Sequence, residues 1–174
     1  MPKPTTADAE LLLHLYEIRR EPELRRARAW FLTQFKAASW AEIKARYLSH
    51  SDEDRWFRMT ISYWEMVGTL VNRGVLAPDL FFDHTGEDVV TWEHCKHWIE
   101  DARADIRPTY LYQFERMVAA HLAFRARVNA TVAKAGGAAA WAQAAAGAGQ
   151  AKLATAKSSA KARPARGARA RRRG

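Results

Sequence analysis

One cysteine, Cys95, stands in 174 residues, so no intramolecular disulfide can form and a cysteine-based zinc site lacks ligands. No run of about 18 apolar residues exists to span a membrane; even the most apolar stretch carries Arg58 and Glu65. The opening MPKPTTADAE has no apolar core of the kind a signal peptide needs. These absences predict a soluble protein of a reducing, cytoplasmic compartment. No segment alternates apolar and polar residues at period two over a useful length, which leaves an all-α body. Acid is missing too, but only locally. Residues 131–174 hold 10 Lys and Arg and no Asp or Glu, whereas residues 1–130 hold 18 basic residues against all 19 acids. The net charge of +9 therefore describes neither part: the body is nearly neutral and the tail carries the whole excess.

That charge break, with the shift to Ala, Gly, Lys and Arg after Thr131, divides the chain into a helical domain, 1–130, and a tail, 131–174. Almost nothing beyond Trp141 can be buried, so the tail is expected to be disordered. For the body the patterning predicts a bundle of five to six helices around a central one, about residues 51–73. In that stretch Phe57, Thr60, Ile61, Trp64, Val67, Gly68 and Val71 follow one helical stripe, and Trp56, Met59, Tyr63, Met66 and Leu70 a second. Ser51 with Asp54 forms a capping box, three acids sit at the positive end of the helix dipole, and Gly74 supplies a left-handed stop. At 1.5 Å per residue such a helix is roughly 33 Å long, enough for others to pack along it.

Around it, Thr5 and Thr6 cap a first helix, Ala7 to Arg20, and Pro22 opens a second that ends near Phe35. Ser39 with Glu42 boxes a short third helix. Pro78 starts a turn of helix that Gly86 breaks. Thr85 with Asp88 then opens one helix running to about Ile106, with Val89, Trp92, Cys95, Ile99, Ala102 and Ile106 inward. A last helix runs from about Pro108 to Asn129 along Leu111, Phe114, Met117 or Val118, Leu122, Arg125 and Val128, with His121 half-buried at the core edge.

The segments LHLYEIRREPELRRARAWF and FRMTISYWEMVGTLVNRGVL, with the LFFD and following glycine of PDLFFDHTG, resemble a bacterial family of small helical proteins carrying the domain of unknown function numbered 4760. The resemblance covers about residues 9–118. It implies a helical fold and no assigned chemistry, and the basic tail lies outside it.

The tail is the strongest functional signal. Lys152, Lys157, Lys161, Arg163, Arg166, Arg169, Arg171, Arg172 and Arg173 are spaced by small residues, which leaves the backbone free to follow a phosphate chain while arginine forks onto its oxygens. A bland alternative is a solvating tail, or one that meets RNA or acidic lipid opportunistically. No aromatic residue lies among these charges, so base stacking is unsupported.

In the body, the polar seam of the central helix places Arg58, Ser62 and Glu65 within two turns. One reading is a small buried pocket in which Glu65 acts as a base or binds a cationic group. The other, favoured because no partner base or nucleophile stands at a telling spacing, pairs Glu65 and Arg58 each with a charge on a neighbouring helix, such as Arg25, Arg26 or Arg28 for Glu65. Glu93, His94 and His97, with Asp83 and His84 nearby, fall short of a zinc set; neither metal nor cofactor is expected. Interleaved Glu17, Glu21 and Glu23 mark the arginines around Pro22 as salt-bridged surface. The expected function is non-enzymatic: DNA or RNA bound through the tail, with a protein partner on the body. The runner-up is a protein interaction or regulatory module whose tail aids solubility or localisation.

Overall fold

The computed structural model describes residues 3–48 and 50–137. Among them are eight α-helices and no strand: α1 Thr6–Arg20, α2 Pro22–Thr33, α3 Trp40–Arg46, α4 Asp52–Asn72, α5 Pro78–His84, α6 Glu87–Glu93, α7 Ile99–Asp105 and α8 Tyr112–Lys134. The all-α class holds, with eight helices where five to six were expected. Chain contacts divide the molecule into Met1–Ala126 and Arg127–Gly174. The core and every site below belong to the first unit. Of the second, only residues 127–137 are described, and they carry α8 on to Lys134, beyond the expected Asn129.

The helix starts follow the side-chain chemistry of the sequence. Thr5 accepts the Asp8 N–H while Asp8 accepts the Thr5 N–H, a full capping box. Ser39 and Ser51 accept the N–H of Glu42 and Asp54 in the same way. The returning carboxylates reach one residue further back, Glu42 to the Ala38 N–H at 2.9 Å and Asp54 to the His50 N–H at 3.1 Å. Gly74 ends α4 at φ +70°, a conformation that glycine adopts without a Cβ penalty.

The extra helices come mainly from a break where one helix was expected to run to Ile106. At residues 94–98 the chain tightens: Cys95 N–H donates to Trp92 O at 2.8 Å and Trp98 N–H to Cys95 O at 3.2 Å, both three residues back. This added turn brings Trp98 into the core beside Cys95, Ile99 and Ala102, while Ile106 ends up exposed.

α4 is central, and α2 is its most extensively packed neighbour. Its first stripe is buried as expected, and Tyr63 joins it; of the second, Trp56, Met59 and Leu70 are half-buried and Met66 is exposed. The aromatic richness is used internally. Trp30, Phe31, Phe35, Tyr47 and Phe57 pack ring against ring, and Trp40 stacks on Trp98 at 5.8 Å.

Candidate functional site

The polar seam of α4 does not converge on a pocket. The Arg58 guanidinium, expected to pair across helices, instead turns back one turn of its own helix to the buried Asp54 carboxylate at 2.6 Å and remains largely exposed. Ser62 is exposed and donates only to Met59 O, at 3.4 Å. Glu65 points elsewhere, at the start of α8, where it accepts the backbone N–H of Gln113 at 3.2 Å and of Phe114 at 2.8 Å. A carboxylate there satisfies orphan donors and faces the positive end of the helix dipole. The same stripe continues the contact. A Cβ on Gly68 would overlap the Gln113 carbonyl, and Asn72 donates to Gln113 O at 2.8 Å and Oε1 at 2.9 Å. The seam is thus a dock for α8, with backbone N–H groups as Glu65's partners in place of the expected arginines.

The densest buried polar chemistry lies at the start of α6. Glu87 receives Arg28 Nε–H and Nη2–H together with Arg19 Nη2–H, and Arg28 Nη1 also donates to Arg19 O at 2.8 Å. The Arg19 and Glu87 side chains are only 19% and 14% exposed. Burial alone pushes the Glu87 carboxyl up; the hydrogen bonds and charges of Arg28 and Arg19 outweigh it and hold the carboxyl below its ordinary value. Arg19 and Arg28 therefore reach across the fold, where salt bridges along their own surface were expected. Arg26 with Glu23, at 3.0 Å, does keep to that surface pattern.

One residue on, Asp88 is wholly buried and meets His121 Nδ1 at 2.7 Å, while Arg125 Nε donates to His121 Nε2 at 3.1 Å. Phe82 stacks on the imidazole at 4.6 Å. Asp88 was expected to box with Thr85, but Thr85 caps the Glu87 N–H by itself and Asp88 turns inward. His121 lies fully inside the core, not at its edge. The signal was the run Phe114, Met117, His121 and Phe124, all buried at helical spacing. The expected stripe had stepped one residue aside to Leu122, which is 48% exposed.

Glu93, His94 and His97 border an open groove of about 310 Å³ with Phe35, Lys36 and Ala37. Burial, then the Lys36 ammonium and the neighbouring His97, hold the His94 imidazole below its ordinary pKa. Glu93 is occupied by Lys96. Among the described residues no group of three or more His, Cys, Asp or Glu side chains could hold a metal ion. Cys95 is fully buried, and burial pushes its thiol up, which makes it unreactive. No helix among the described residues is long and apolar enough to cross a membrane. The tail cations, Lys152 to Arg173, lie outside the described residues.

Fold and site together define, among the described residues, a helical domain in which Glu65, Glu87 and Asp88 are each held by a group on another helix. The chain belongs to the family described as a domain of unknown function (DUF4760), whose model matches residues 4–121. No curated protein and no solved structure matches it.

Proposed function

We propose that this protein is a non-enzymatic helical scaffold that carries a phosphate-binding tail and engages nucleic acid without reading its sequence. The observation that carries the reading is the segregation of charge. All ten Lys and Arg of residues 131–174 stand without a single acid, while the 130 residues before them are nearly neutral. Counterion release by such a segment yields affinity that depends on salt and not on base order.

The body supports the same division of labour. Glu65, Glu87, Asp88 and His121 are the groups best placed for acid–base chemistry, and each is held by a partner on another helix. Pairs and caps of this kind serve the fold, which leaves these groups engaged in structure. Duplex DNA of two unrelated sequences, titrated by fluorescence anisotropy over a salt series, tests the proposal. If about six tail charges neutralise phosphates, log affinity falls with log salt at a slope of roughly −5 for both sequences. A flat salt dependence, or a marked preference for one sequence, contradicts it.

A further inference from the structure

The open groove of about 310 Å³ takes Phe35, Lys36 and Ala37 from the link between α2 and α3, and Glu93, His94 and His97 from the end of α6 and the tight turn after it. Its size is at the small end for ligand pockets, which span about 300–1,000 Å³. Both contributing segments are fixed from the core side. The Tyr47 hydroxyl, on a side chain that is 1% exposed, accepts the Lys36 N–H at 3.4 Å and donates to Lys36 O at 3.2 Å. On the 94–98 side, His94 O accepts the Trp98 Nε1–H at 2.8 Å, and the His94 ring meets Phe31 edge to face at 5.9 Å. The groove is thus formed before any ligand arrives, which lowers the ordering cost of binding.

Its charges specify the kind of ligand. Among the described residues, no hydrogen bond or ion pair engages the side chain of Lys36, His94 or His97. Glu93, the one acid in the lining, is taken by Lys96. With those two charges offsetting each other, Lys36 leaves one permanent positive charge on the groove. Its effect reaches His94, whose imidazole is held below its ordinary pKa by burial, then by Lys36 and His97. A neutral ligand would leave that charge unmatched and a dianion would exceed it; a monoanion balances it. Phe35 and Ala37 add an apolar surface, so the anion that fits best carries carbon.

We propose that this groove binds a small organic monocarboxylate, with the carboxylate received by the Lys36 ammonium and the imidazole N–H groups of His94 and His97, and the carbon chain against Phe35 and Ala37. The site belongs to the body and does not depend on the tail.

The test uses the full chain, labelled with carbon-13, and follows the Cε1–H resonances of its histidines as sodium butyrate is added at constant ionic strength and pH 7. Saturable shifts are expected at His94 and His97, while His14, exposed on α1, stays in place. n-Butanol, which keeps the chain and loses the charge, and sodium phosphate, which keeps charge and loses the chain, should both bind more weakly. Lys36→Met, at an exposed position that the fold tolerates, should weaken butyrate by about tenfold. In saturating butyrate His94 should titrate at a higher pH than in the free protein, because a carboxylate beside it favours the imidazolium; Lys36, His97 and Glu93 are the other charged or titratable groups acting on it. Shifts that do not saturate, that appear equally at His14, that persist undiminished in Lys36→Met, or that butanol or phosphate reproduces at the same concentration overturn the proposal. An unchanged His94 titration in butyrate overturns it too.

Discussion

His121 Nδ1 lies 2.7 Å from Asp88 Oδ2, with neither side chain exposed to solvent. On the far side of the ring the Arg125 Nε–H donates to Nε2, so Nε2 must accept and the ring proton sits on Nδ1. Nitrogen-15 NMR of the imidazole should therefore show the neutral Nδ1–H tautomer. Asp88→Ala would leave that N–H buried and unpaired, at a cost of about 3 kcal/mol in urea unfolding. The opposite tautomer would contradict the pairing.

Glu65 and Ser62 are three residues apart on α4, yet their substitutions should differ sharply. Glu65→Ala exposes the first N–H groups of α8 and should cost about 1–2 kcal/mol, as loss of a helix cap does. Ser62→Ala removes an exposed hydroxyl and should stay within about 0.5 kcal/mol of the parent. Denaturant midpoints decide the matter; equal losses would mean that the seam acts as one site.

Gly68→Ala drives a methyl group onto the Gln113 backbone, which has no rotamer by which to escape, and should destabilise by about 1–3 kcal/mol. At Gly74 a Cβ meets nothing within 4 Å. There the left-handed backbone alone sets the cost of alanine, about 1–2 kcal/mol. The two combined with Glu65→Ala separate the effects: Gly68→Ala should be non-additive with it because both act on the start of α8, and Gly74→Ala should add independently.

Tyr63 should make stability fall in alkali. Burial, opposed by the charges of Arg19 and Arg28, raises its phenol from 10.0 to about 12. A folded pKa above the unfolded one means that this contribution is whole below pH 10 and is lost as pH rises toward 12. Tyr110 is raised by burial to about 12 as well, so Tyr63→Phe should flatten the decline only in part. Urea midpoints between pH 9 and 12 check it; identical slopes in the parent and the variant would contradict it.

What could be read from the sequence was local. The Ser51 and Asp54 start of α4, its Gly74 stop, the buried stripe between them and the inward Cys95 all follow from rules spanning a few residues, and all are present. The polar partners were not legible, because they are chosen by tertiary approach. Glu87 meets Arg19 and Arg28 across 68 and 59 residues, and Glu65 meets Phe114 across 49. No spacing rule reaches that far. The break at residues 94–98 was hidden for a related reason: Cys95 and Ile99 keep a helical spacing through it, and the tighter turn shows only in the backbone bonds and in the burial of Trp98.

The proposed function places phosphate binding in the tail and not in the body. Removing residues 138–174 leaves α8 whole through Lys134 and takes away all nine cations from Lys152 to Arg173. Anisotropy titration of one DNA duplex at low salt, with the full and the shortened chain side by side, should show tight, salt-sensitive binding by the first and none by the second. Equal affinity of the two chains would contradict the account.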